Sequence, residues 1–167
     1  MDLFILRHGI AEARGTPAPG GDSQRRLTAV GKSKIRRAAR GMKALELDFD
    51  LILSSPYLRA SETAGIVSDV FGLEAKLVLS TALAADGNPK ELLDQLKQDY
   101  PKRKRILLVG HEPYLSRLIS LLISGDTAIA ITLKKGGLCK LSTAALHYGR
   151  CATLEWLLTP SQMRSVR

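Results

Sequence analysis

At 167 residues, 45% hydrophobic and 25% charged, the chain is long enough to bury a proper core in one domain spanning 1–167 and too apolar to be disordered. Two cysteines and three histidines exclude a disulfide framework, and without a His/Cys/Asp cluster at ligand spacing no metal or other cofactor is expected. A formal charge of +9 favours anionic partners, yet few aromatic residues and no recognisable motif argue against nucleic acid.

Residues 3–6, Leu-Phe-Ile-Leu, read as a short buried strand that stops abruptly in Arg7-His8-Gly9. Ligands of open α/β sheets sit at such carboxyl-terminal edges, and Gly9 permits a sharp turn there. The apolar run is too short, and its flank at Asp2 too acidic, for a signal peptide. A loop then runs from Ile10 to Gln24, marked by Gly15, Pro17, Pro19, Gly20 and Gly21. Thr28 is placed to cap a helix whose Ile35, Ala38, Ala39, Met42 and Leu45 form an apolar stripe. Lys32, Arg36, Arg40 and Lys43 fall on another, solvated face. Residues 49–53 form a second strand. Ser55 as N-cap and Pro56 as first residue predict a helix to about Phe71, stopped by Gly72. Arg59 then sits in its first turns, where anions bind readily.

Leu77-Val78-Leu79 is a third strand, and Asn88-Pro89 opens a helix with Glu91 in capping-box position. Leu92, Leu93 and Leu96 give its inner face, and Pro101 closes it. The basic run 102–105 leads into Ile106–Val109, fully apolar and therefore central, which ends in Gly110-His111-Glu112-Pro113. Pro113 begins a helix that turns Leu115, Leu118, Ile119 and Leu122 to the core. The stretch 115–123 is interrupted by Ser116, Arg117 and Ser120 and too short to span a bilayer. No membrane association is expected, and a cytoplasmic location is. Residues 129–133 are apolar without a decided element. Strands at about 137–142 and 151–158 are expected to pair through a turn near Tyr148-Gly149, with His147 at the surface. Cys139 and Cys151 read as small buried hydrophobes within them.

This order of elements argues a three-layer α/β domain with parallel crossovers and at least one antiparallel strand. Arg7 and His8, Arg59, and His111 then converge from three separate strand ends. A phosphoryl group carries up to two negative charges on three peripheral oxygens. Two arginines can each donate paired hydrogen bonds to those oxygens and stay charged at cellular pH. His8 can attack phosphorus through a ring nitrogen, and a protonated His111 would add a further donor. Charge neutralisation and positioning are most of what phosphoryl transfer requires. The two guanidinium groups make a metal unnecessary.

Leu6-Arg7-His8-Gly9, Leu27-Thr28 with Gly31, Ser54-Ser55-Pro56 followed by Arg59 and Thr63-Ala64, and Gly110-His111-Glu112-Pro113 together resemble the histidine phosphatase superfamily. The short length, the opening Arg-His-Gly-Ile-Ala-Glu and Leu133-Lys134-Lys135-Gly136-Gly137 are similar to its SixA-type phosphohistidine phosphatases. The resemblance implies an α/β/α sandwich of the phosphoglycerate mutase-like kind, built on a six-stranded, mostly parallel mixed sheet with one antiparallel strand. It implies His8 as nucleophile, and Arg7, Arg59 and His111 as the phosphate pocket. It also implies a phosphohistidine-bearing signalling or phosphotransfer protein as substrate, with inorganic phosphate as product; a monomer is expected.

The mutase branch supplies a glutamate as general acid soon after the third strand, whereas residues 80–88 here hold only Asp86. An alkoxide leaving group needs a positioned proton donor. An imidazole, with a conjugate acid of pKa about 6.5, leaves more easily. The departure favours a P–N bond, although Asp86 or Glu12 could serve as donor. Two alternatives stand beside this reading: a phosphatase of small phosphate monoesters using the same four residues, and a basic binding module without turnover.

Overall fold

Leu3 and Ile5 of β1 (Asp2–Arg7) pack into one buried cluster, and Phe4 and Leu6 into another. The same alternation divides β2 (Leu51–Ser54), whose Leu51 and Leu53 oppose Ile52. It also divides β4 (Arg105–Gly110), where Ile106 and Leu108 oppose Leu107 and Val109. A strand exposes its two faces with a period of two residues, so a run apolar on both faces must be covered on both. The computed structural model describes residues 1–15 and 20–166. Pro17 and Pro19 of the expected loop lie outside the described residues.

With β3 (Leu77–Leu79), β5 (Leu138–Ser142) and β6 (Thr153–Leu158), the strands form one six-stranded sheet in the order β3-β2-β4-β1-β5-β6. β1 to β4 run parallel, and β5 is antiparallel to both of its neighbours. β4 and β1 hold the two central places, as the unbroken apolar run Ile106–Val109 requires. One face carries α3 (Pro89–Asp99) and α4 (Tyr114–Ser124) through Leu92, Leu93, Leu96, Leu115, Leu118 and Leu122. The other carries α1 (Ala29–Ala44), α2 (Leu58–Phe71) and a short α5 (Pro160–Ser165).

Several local expectations need correction. The helix after β2 begins at Leu58 with Tyr57 at its N-cap, because Ser55 Oγ turns back to accept the Tyr57 N–H at 3.2 Å. Asn88 does cap α3, but its side chain accepts from the Lys90 N–H and forms no capping box with Glu91. Leu45 leaves the apolar stripe: it is the C-cap of α1 and 39% exposed. Residues 129–133 form no strand, though Leu133 is buried. Cys151 lies outside β6 and is only partly buried, whereas Cys139 is fully buried in β5 and its thiol is pushed up to about 12. α5 was not expected at all. Its signal is Thr159-Pro160-Ser161-Gln162, a capping box with proline at the first turn.

α5 lies so close to α1 that a Cβ at Gly41 would stand 1.7 Å from the Met163 carbonyl oxygen. Backbone cannot yield as a side-chain tip can. Gly41→Ala is therefore expected to lower stability by roughly 3 kcal/mol, or about 10 °C in melting temperature. Gly65→Ala in α2, where a Cβ meets nothing within 4 Å, should instead raise stability by up to about 1 kcal/mol. Thermal unfolding of the two variants checks both signs.

Candidate active site

The carboxyl ends of the two central strands lie side by side, with Arg7 registered against Gly110. The His8 amide donates to the Gly110 carbonyl at 3.0 Å, and Ser55 at the end of β2 donates its amide to Val109 at 2.9 Å. Three strand ends are thereby laced together. Gly9 makes the exit possible, since a Cβ there would stand 2.7 Å from Ile35 of α1. Gly136 closes the other side, its amide reaching the carbonyls of Arg7 and His8 at 3.0 and 3.1 Å. Thr63 ties α2 to the same turn: it donates to the Arg59 carbonyl at 2.7 Å and accepts the Gly9 amide at 3.1 Å.

The four predicted side chains meet. Arg59 Nε stands 3.3 Å from His8 Nε2, and the His8 and His111 rings are 5.2 Å apart between centroids. All three are buried, and with Arg7 they line a cavity of about 340 Å3. His8 Nδ1 lies 2.7 Å from the Gly9 carbonyl oxygen. A carbonyl can only accept, so Nδ1 carries the proton and Nε2 is left with its lone pair. Arg59, which can only donate, points its Nε–H at that lone pair. On the other ring, His111 Nε2 is 2.7 Å from Ser55 Oγ. The Ser55 hydroxyl also accepts the Tyr57 amide and keeps a second lone pair, so either partner can donate in this pair; an anion beside Nδ1 would select the tautomer with the proton on Nδ1. Among the described residues, His111 Nδ1 and Arg7 Nε are buried without any hydrogen-bond partner. Buried polar atoms are rarely left so, and both residues line the cavity.

Asp22 and Arg25 were missed as members of this wall. Asp22 accepts Arg59 NH1 through its carbonyl at 2.7 Å and NH2 through Oδ2 at 3.0 Å, while Oδ1 takes Arg25 Nε at 2.7 Å. The Arg59 fork is thus braced from behind, and Tyr57 stacks 5.2 Å from its Cζ. The only sequence signal was the i, i+3 spacing of opposite charges in Asp22-Ser23-Gln24-Arg25. Ser55, read as a helix cap, is the residue that orients His111. Of the two proposed proton donors, Glu12 lines the cavity. Asp86 is exposed, its Oδ1 3.5 Å from the Tyr57 hydroxyl.

Residues 3–84 match the sequence model of the histidine phosphatase superfamily, branch 1. The chain is 30% identical over 128 residues to the phosphohistidine phosphatase SixA homolog of Haemophilus influenzae, covering 72% of this chain and 76% of that one. The chain belongs to the histidine phosphatase superfamily. An uncharacterised protein of Picosynechococcus is 34% identical over 146 residues, 87% of each chain. Among solved structures, the protein histidine phosphatase SixA complexed with tungstate superposes with a TM-score of 0.80 at 25% identity, covering 96% of this chain and 98% of that one.

The electrostatics of this histidine phosphatase follow from burial among cations. Desolvation lowers the His8 ring to about 3, aided by His111, Arg59 and Arg7. Desolvation and Arg59 lower His111 to about 4, against the pull of Asp22. Both rings are therefore held neutral at pH 7, and protonation of His111 would require a further negative charge beside it. In the unfolded chain such rings take up protons near pH 6.5. Between that value and about 4 the unfolded state holds more protons, so stability falls as pH falls. The slope reaches about 1.4 kcal/mol per pH unit for each ring. Urea unfolding at successive pH values should show this loss, shallower in His8→Ala, and neither ring should titrate by NMR between pH 5 and 8 in the free enzyme.

Proposed function

We propose that this histidine phosphatase removes phosphoryl groups from phosphohistidine on a signalling or phosphotransfer protein, in the cytoplasm, with 1–167 acting as one domain. The observation that carries the proposal is His8 itself: a buried neutral ring in the cavity wall whose proton is committed to Gly9 and whose Nε2 lone pair is met only by the Arg59 Nε–H among the described residues. Its lone pair forms a P–N bond as the substrate's own P–N bond breaks. The electron pair leaves with the substrate imidazole, which takes a proton from solvent. Arg7, Arg59 and His111 hold the peripheral oxygens throughout. Water then attacks the phosphoryl group on His8, releasing inorganic phosphate and restoring the ring.

The likeness to phosphohistidine phosphatases supports this substrate class, and tungstate in the SixA structure is, like phosphate, a tetrahedral oxyanion. Departure of imidazole needs no strong acid, which suits a site where Asp86 stands aside at the surface. Glu12 in the cavity wall favours a second reading, a phosphatase of small monoesters, because its carboxyl could protonate an alkoxide. A direct comparison of kcat/KM on a histidine-phosphorylated phosphotransfer protein and on sugar phosphates separates the two. A clear preference for the protein is expected; preference for the monoesters would overturn the substrate assignment.

A further inference from the structure

A second cavity, of about 490 Å3, opens against the nucleophile's own turn. Its floor is apolar, from Ile10, Ile35 and Pro160, and its rim carries Lys34, Lys134 and Arg164. Arg7 and Lys135 line both cavities, so the two adjoin. No carboxylate lines this second cavity. Among the described residues no acidic side chain pairs with its rim cations, whereas Lys32 and Arg36 of the same helix are neutralised by Glu62 and Asp69 at 2.8 and 2.7 Å. Charges turned toward α2 are compensated within the chain; those turned toward this cavity await a partner.

We propose that this cavity docks an acidic segment of the phosphohistidine protein, beside the residue being dephosphorylated; the inference rests on the substrate class proposed above. Lys34 and Lys134 are exposed ammonium groups on flexible stems, which suit a string of carboxylates better than one rigidly held phosphate. The apolar floor accommodates the stems and backbone of such a segment. The loop bearing Lys134 and Lys135 is held in place: Gly137 N donates to the Lys134 carbonyl at 2.7 Å, and Gly136 N to the carbonyls of Arg7 and His8. A segment bound here therefore places its neighbouring phosphohistidine at a fixed offset from His8 Nε2. The cations also steer an acidic partner toward the site, an effect that weakens with salt.

The test uses two phosphohistidine peptides, one flanked by a run of glutamates and one by glutamines, with p-nitrophenyl phosphate as a small substrate. The wild type is expected to prefer the glutamate peptide by about tenfold in kcat/KM, mainly through KM, and to lose the preference at high salt. The K34E/K134E/R164E variant should lose or reverse the preference while hydrolysing p-nitrophenyl phosphate normally. The milder K34A/K134A variant, should the first fail to fold, is expected to halve the preference or more. Equal hydrolysis of both peptides by the wild type would overturn the docking proposal and leave the substrate class standing. Hydrolysis of p-nitrophenyl phosphate but of neither peptide would overturn the substrate class, and the docking with it.

Discussion

His8→Ala is expected to abolish turnover, lowering kcat on the order of 10^4-fold or more, while leaving affinity for inorganic phosphate or tungstate within a few-fold of the wild type. The split follows from the geometry. Arg7 is fixed independently of His8, its NH1 donating to the Leu133 carbonyl at 2.9 Å. Arg59 is braced by Asp22 and His111 by Ser55. Removing the nucleophile leaves these anion-binding groups in place and even frees the Arg59 Nε–H that faced Nε2. Rapid mixing with a phosphodonor should trap an acid-labile, alkali-stable adduct on His8 in the wild type and none in the variant. A binding module without turnover predicts the opposite: function intact in His8→Ala and no adduct in either protein. Binding that collapsed along with turnover would mean that His8 holds the anion rather than attacks it.

The framework was legible because it depends on apolar runs and punctuation. Leu3–Leu6 and Ile106–Val109 are apolar on both faces, so only central strands could house them, and Gly72 and Gly125 end their helices in left-handed conformation. The meeting of Arg7, His8, Arg59 and His111 was legible for a related reason: parallel strands deliver their carboxyl ends to one edge. What escaped was whatever depends on side chains finding each other across loops. Asp22 belongs to a single 3-10 turn, Gly21–Gln24, without any buried residue, so no periodicity marks it. Its role exists only because Arg59 reaches it from 37 residues away. Ser55 looked like a helix cap because Ser-Pro is a helix-start signal. In the fold its hydroxyl is shared between Tyr57 and His111, and the helix starts later for that reason. The charge state of His111 was also beyond the sequence, since burial beside guanidinium groups, not residue type, makes it neutral.

Arg59→Ala is expected to cost about 10^3-fold in kcat/KM and, unlike His8→Ala, to weaken oxyanion binding as well. Arg59 is 3% exposed, so its charge acts through little intervening water. Its N–H groups divide between two tasks. One hydrogen each on NH1 and NH2 goes to Asp22, and the Nε–H meets His8 Nε2. Lysine cannot divide itself in this way: one ammonium reaching the phosphate would let go of Asp22, so Arg59→Lys should recover little of the loss. Asp22→Asn tests the bracing directly. It keeps the size and the carbonyl contact but removes the charge, so the guanidinium loses half its anchor while a negative charge leaves the vicinity of the phosphate. Weaker positioning should lower kcat; reduced repulsion should strengthen oxyanion binding. Opposite movements of kcat and of the tungstate dissociation constant in Asp22→Asn would show that Asp22 holds Arg59 for the transition state at a cost to ground-state binding. Parallel losses would mean instead that Asp22 merely keeps the cavity folded.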